Sequence, residues 1–157
     1  VQKKEDIYSW ALDKDGNEVG TCVGDDDMCY FQSVGTKLKP QSMGGESCIE
    51  RGEGICSWDW GFGVTSNGKL RLYEGGNVVW DSGKRNIDFC NMNEGGSFAC
   101  YKGSCFNPTS KAIFALNCGG EAGSYMDIDE DRNKVVKKNN DKQSWAIEKD
   151  GDEVGSC

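Results

Sequence analysis

Asp129, Asp131, Asn133, Val135 and Lys137 alternate along one stretch of the chain. On the two-residue period of a β-strand, all five side chains face the same way. Such a row sets carboxylate, amide and ammonium groups beside one aliphatic side chain. That combination suits sugar recognition, because ring hydroxyls need several fixed donors and acceptors while an aliphatic group covers the C–H face of the ring. An earlier row, Thr65, Asn67, Lys69, Arg71 and Tyr73, has the same spacing, with positive charge at its third and fourth places. A solvated sheet face is the alternative reading of either row.

Short strands and turns must position these residues. In Gly63 to Asp81, GVTSNGKLRLYEGGNVVWD, the turn signals Asn67-Gly68 and Gly75-Gly76-Asn77 separate β-prone runs and predict a three-stranded meander. Ser124 to Ile147 has the same layout, with its turn at Asn139 to Asp141. Helical patterning is poor. Ser110 to Leu116 is the one helix candidate, and its branched and aromatic members suit a strand equally well.

Read as Asp-x-Asp-x-Asn-x-Val-x-Lys, then a hairpin and Trp145, the second stretch resembles the bulb-type mannose-binding lectins of the β-prism II family. Their motif is Gln-x-Asp-x-Asn-x-Val-x-Tyr followed by a hairpin and a core Trp. The match holds at Asp131, Asn133 and Val135, whereas Asp129 replaces the Gln and Lys137 the Tyr. The resemblance implies a β-prism II-like shape and a glycan partner held by Asp129, Asp131, Asn133, Val135 and Lys137. The charge of Lys137 is expected to favour an acidic or sulfated sugar over neutral mannose. In the first row Tyr73 alone matches the motif, although Trp80 keeps the frame. Gln143-Ser144-Trp145 also resembles the QxW tripeptide of ricin-type trefoil lectins. The corresponding triplets Tyr8-Ser9-Trp10 and Val78-Val79-Trp80 lack the Gln, which makes this the weaker alternative.

The chain also repeats itself. Ser9 to Cys22 and Ser144 to Cys157 agree at 10 of 14 positions at an offset of 135 residues. Modular binding and assembly proteins are built from such recurring units. Fainter markers recur at shorter range: Trp10, Trp80 and Trp145; Cys22, Cys90 and Cys157; Cys29-Tyr30 and Cys100-Tyr101. These divide the chain into a first Cys-rich β unit, residues 1–80, and a second, residues 81–157, with a further repeat starting at 144–157. The matched spacing of Cys29 to Cys48 and of Cys100 to Cys118 predicts a disulfide within each pair, leaving Cys157 over. Cys56 and Cys105 either pair with each other or each serve their own unit.

Nine Cys, 22 Gly and two Pro among 157 residues, with no CxxC pair, point to a disulfide framework and an extracellular, secreted protein. The chain opens at Val1 and carries neither a signal-like segment nor a long apolar run, so a processed, soluble form without a membrane span is expected. A net charge of −8 argues against nucleic acid or an anionic membrane surface as partner. The absence of His removes the common nucleophile triads, and no segment groups paired acids with an aromatic cleft except Trp58-Asp59-Trp60. That tripeptide reads as a strand edge with one exposed Trp, a sugar-stacking platform being the alternative. Asp127, Asp129 and Asp131, like Asp13, Asp15 and Asn17, match the start of a calcium loop. The pattern then fails, with Arg132 or Glu18 where Gly is needed and Lys138 or Gly24 where Glu is needed. No metal site is assigned and no cofactor is expected, calcium in another arrangement staying open.

The expectation is therefore an all-β, disulfide-stapled pseudo-repeat of short antiparallel strands, β-prism II-like. It is a non-enzymatic, lectin-like binder, or alternatively a structural unit of an extracellular tandem-repeat or filament-forming protein whose partners are copies of itself.

Overall fold

Turn chemistry sets the hairpins where the sequence places them. In the computed structural model, residues 28–116, 122–128, 135–139 and 142–155 are described in full, and strand residues 2–4, 7–12, 18–20, 133 and 134 by their backbone alone. The amino-terminal strands are β1 (Gln2–Lys4), β2 (Ile7–Leu12) and β3 (Glu18–Gly20). Next come β4 (Gln32–Ser33), β5 (Lys37–Leu38), a 3-10 turn at Gln41–Met43, and β6 (Cys48–Glu50). The first predicted meander is β8 (Trp60–Val64), β9 (Leu70–Glu74) and β10 (Asn77–Asp81), preceded by β7 (Glu53–Ser57). The middle segment gives β11 (Phe89–Met92), β12 (Phe98–Tyr101), β13 (Gly103–Ser104), β14 (Asn107–Pro108) and β15 (Phe114–Leu116). The second predicted meander is β16 (Tyr125–Asp127), β17 (Asn133–Asn139) and β18 (Lys142–Glu148), followed by β19 (Glu153–Gly155). The helix candidate at Ser110 to Leu116 thus ends in a strand.

Three sheets dominate, in the orders β10-β9-β8-β7-β4, β15-β12-β11-β6 and β19-β18-β17-β16-β5. The short pair β13-β14 and the separate sheet β1-β2-β3 complete the topology. Pairing is antiparallel except where β4 meets β7. Each large sheet sends one face into a shared apolar core: Phe62, Leu72 and Trp80 from the first, Ile49, Met92 and Phe98 from the second, Leu38, Val135 and Trp145 from the third. Trp80 meets Trp145 edge-on at 6.0 Å and Phe114 at 6.0 Å, so one indole touches side chains of the other two sheets. Strands from both sides of residue 80 share these sheets, since β5 pairs with β16 and β6 with β11. Among the described residues, no helix is long and apolar enough to cross a membrane.

The disulfides correct the predicted pairing. Cys29 joins Cys56, Cys48 joins Cys105, and Cys90 joins Cys100. Strand register overrides sequence spacing: Cys90 and Cys100 stand directly opposite on β11 and β12, 3.9 Å apart at Cα. Cys48 sits on β6 in the second sheet, whereas Cys29 lies against Gly61 of β8 in the first. Cys56 and Cys105 serve separate bridges. Cys22, Cys118 and Cys157 lie outside the described residues, as does the choice of Cys157 as the unpaired thiol.

Candidate functional site

The first row folds around its hairpin. Thr65 and Lys69 close the turn: the Thr65 N–H donates to the Lys69 carbonyl (2.8 Å), and the Lys69 N–H donates to Thr65 Oγ1 (3.0 Å). Arg71 and Tyr73 follow on β9. Arg71 Nε donates to Asp81 Oδ2 at 2.6 Å and Nη1 donates to the Tyr73 hydroxyl at 3.1 Å. Burial alone would raise the Asp81 carboxyl, but the Arg71 bond and the Gly83 N–H hold it below its ordinary value. The Tyr30 ring lies parallel on Tyr73 at 3.8 Å, and Phe31 meets the same ring edge-on at 5.6 Å. A hydrogen bond with Tyr73, together with burial, raises the Tyr30 phenol above its ordinary value. The Tyr73 end of this row is therefore covered by aromatic side chains of its own chain, and the Cys29–Cys56 bridge fixes the covering segment beside it.

The described part of the second row, Asn133, Val135 and Lys137, lies on β17 of the third sheet. Asp129 and Asp131 fall outside the described residues, and Asn133 is described by its backbone, opposite Glu148. Val135 faces Ile147 and Lys137 faces Trp145 across the ladder. Between the Asn133 and Val135 pairs the register shifts, so strict alternation does not run through the whole row. Val135, Val136 and Lys137 are all fully buried, which means β17 is covered on both faces at this point. Neighbouring groups fix the frame. Lys138 Nζ is 3.5 Å from Asp127 Oδ2, Ser144 Oγ donates to the Lys137 carbonyl at 3.1 Å, and the Trp145 indole N–H donates to Glu153 Oε1 at 3.1 Å.

The hairpin of the first row recurs between β11 and β12, where the sequence predicts no row. The Asn93 N–H donates to the Ser97 carbonyl (2.9 Å), and the Ser97 N–H donates to Asn93 Oδ1 (3.0 Å), repeating the Thr65–Lys69 closure bond for bond. Counting from that turn, Tyr101 takes the place of Tyr73, and its ring stacks on Phe89 at 5.3 Å. Tyr101 is the surviving motif residue here, and the Asn-x-x-Gly-Ser turn before it is the signal that could have found it. Beside this sheet, Gln41, Glu46, Ser47, Glu50, Glu53 and Phe106 line an open cleft of about 290 Å³ behind the Cys48–Cys105 bridge. It lies apart from both predicted rows.

An acidic group that the sequence did not single out lies at the third sheet's last hairpin, while Asp129 and Asp131 of the calcium-like run fall outside the described residues. Carboxylate oxygens of Glu148, Asp150 and Asp152 lie within 4.8 Å of one another on the β18–β19 turn. Their counterparts Asp13, Asp15 and Asn17 fall outside the described residues. Trp60 is buried on β8, while Trp58 is 82% exposed on the two-residue turn from β7. Trp58 has φ 54°, in the left-handed region that such a turn normally gives to glycine. The strain is roughly 1–2 kcal/mol for a bulky L-residue. Trp58→Gly is expected to raise the stability by about 0.5–1 kcal/mol once the extra chain entropy of glycine is set against the relieved strain. A urea midpoint unchanged or lowered in this variant counts against that reading.

No family model and no curated protein matches the chain by sequence. Solved structures match by shape. Monomeric mannose-binding lectins from Gastrodia elata align at TM-score 0.56 and 24% identity, over 71% of this chain and 93% of theirs. The mannose-specific agglutinin of snowdrop, Galanthus nivalis, solved with methyl-α-D-mannoside, aligns at TM-score 0.54 and 23% identity, over 68% of this chain and 92% of its own. A Marasmius oreades lectin aligns at TM-score 0.59 and 18% identity, over 77% and 100%. At this level of identity the likeness is one of fold: an all-β architecture of the β-prism II type, as the Asp-x-Asn-x-Val frame implied.

Proposed function

We propose that this chain is a secreted, non-enzymatic carbohydrate-binding module of lectin type, with Asp129, Asp131, Asn133, Val135 and Lys137 as its binding row. The observation that carries the reading is the conjunction of a lectin-like fold with the Asp-x-Asn-x-Val motif on the hairpin of the third sheet. The first row supports it by contrast, because Arg71 is bonded to Asp81 and to the Tyr73 hydroxyl, and Tyr30 and Phe31 cover the Tyr73 ring. In the second row the full burial of Val135 and Lys137 makes them the floor, and direct hydrogen bonds to a pyranose fall to Asp131 and Asn133. The reading involves no cofactor.

Asp131→Ala is expected to abolish glycan retention while leaving the melting temperature unchanged. A glycan array with neutral mannosides and sulfated sugars side by side, run on both proteins, measures the loss and the selectivity together. Undiminished retention by the variant sinks the site. A single shallow row should bind near the millimolar range, about −4 kcal/mol, with useful avidity arising from repeated copies.

The alternative, a unit of an extracellular tandem-repeat or filament-forming protein, is favoured by one observation. Residues 2–20 and 137–155 pair their strands in the same register. Electron microscopy of native material tests that reading, which requires regular polymers.

A further inference from the structure

The register of β1–β3 is repeated in β17–β19. Trp10 opposes Gly20, Ala11 opposes Val19 and Leu12 opposes Glu18; Trp145 opposes Gly155, Ala146 opposes Val154 and Ile147 opposes Glu153. On the other side, Gln2 opposes Trp10 and Lys4 opposes Ile7, as Lys137 opposes Trp145 and Asn139 opposes Lys142. Every pair of β1–β3 recurs at the 135-residue offset, while the Lys138–Gln143 pair belongs to β17–β18 alone. Strands β1–β3 are thus a second copy of the element β17–β19 that closes the third sheet, minus the first half of β17.

What that position in the third sheet demands can be read from its present occupant. Trp145, Ala146 and Ile147 are fully buried there, and Glu153 receives the indole N–H. Gly151, at φ 94°, presses so closely on Val79 of β10 that a Cβ would overlap the Val79 carbonyl. Gly155, at φ 92°, leaves a Cβ 2.6 Å from the Ser144 carbonyl. Lys138 pairs with Asp127 of β16. The amino-terminal segment carries Trp10, Ala11, Leu12, Gly16, Glu18, Gly20 and Lys3 at the corresponding places. The apolar core residues, the hydrogen-bond acceptor, the ion-pair partner and both sterically required glycines are repeated, while the buried Lys137 is replaced by Gln2.

We infer that residues 2–20 can replace residues 137–155 in the third sheet of a second copy of this chain, so that copies exchange this element along the β16 edge. Two equivalent segments then compete for each position. The partner is chemically defined: another chain whose β16 edge and Val79 backbone accept the same element. This inference meets the sugar-binding proposal at one residue, Lys137, whose place Gln2 takes, and its test reads assembly without any sugar.

The test uses the full-length chain, mixing isotope-labelled and unlabelled copies with a zero-length carboxyl–amine cross-linker. The expected product is a Lys3–Asp127 link between copies, alongside the resident Lys138–Asp127 link. Gly151→Val, which unseats the resident hairpin from β10, should increase that link and double the mass seen by light scattering. Adding Gly16→Val should abolish both effects. The inference is overturned if Lys3–Asp127 links between copies are absent from both the unmodified chain and Gly151→Val. It is also overturned if the mass doubles without that link. Should Gly151→Val fail to fold, the unmodified chain at high concentration decides the matter by the same link.

Discussion

Trp80→Ala is expected to be among the most destabilising single substitutions, at about 4 kcal/mol, in line with large aromatic-to-alanine truncations in protein cores. The residue is 7% exposed on β10 and meets Phe62 at 6.0 Å within its own sheet. It meets Phe114 of the second sheet and Trp145 of the third, each at 6.0 Å. Truncation removes one contact set and weakens the joint between all three sheets together. Against a total stability of roughly 5–15 kcal/mol, this is a large fraction. Val78→Ala, two residues away and 48% exposed, is the control and should stay within about 0.5 kcal/mol. Urea unfolding with the disulfides intact checks both, and equal midpoints for the two variants would refute the role given to Trp80.

The second large effect belongs to a cross-link. Cys48–Cys105 spans 57 residues, Cys29–Cys56 spans 27 and Cys90–Cys100 spans 10. Loop-closure entropy then ranks the bridges in that order, with paired replacement of Cys48 and Cys105 by Ala costing about 4 kcal/mol and of Cys90 and Cys100 about 3 kcal/mol. The longer bridge also joins β6 to the loop between β13 and β14, a connection that no strand pairing duplicates among the described residues. Urea midpoints for the three double variants measure the ranking. A Cys48/Cys105 variant as stable as the parent would show that the unfolded chain is already restricted by other means.

Both meanders were legible because Asn67-Gly68 and Gly75-Gly76 specify turns locally, and local chemistry survives folding unchanged. The β11–β12 hairpin escaped notice for the opposite reason. Its core aromatic is Phe114 where the other sheets use Trp80 and Trp145, so a search for recurring Trp passed over it and took in Trp10. Cystine pairing was illegible because it depends on which strands become neighbours. Cys29-Tyr30 and Cys100-Tyr101 look alike in sequence, yet Tyr30 covers Tyr73 while Tyr101 occupies the place equivalent to Tyr73. In the candidate site, the motif residues were found by spacing. The burial of Val135 and Lys137 was not, because a period-2 reading assumes one open face and β17 has none at that point.

The pairing of β5 with β16 has a consequence in time. Lys37 and Leu38 find their partners Asp127 and Met126 only after the intervening chain, from Lys39 to Tyr125, has been made. A ribosome adding about 5–20 residues per second therefore leaves the third sheet open for many seconds. The closing strands β17–β19 emerge after β16, whereas their counterpart β1–β3 emerges well before it. At the moment β16 becomes available, β1–β3 segments, including those of neighbouring nascent chains, are already present and its own β17–β19 is not. Synthesis on crowded polysomes would then favour chains joined to one another, and dilute refolding of the finished protein would favour chains closed on themselves.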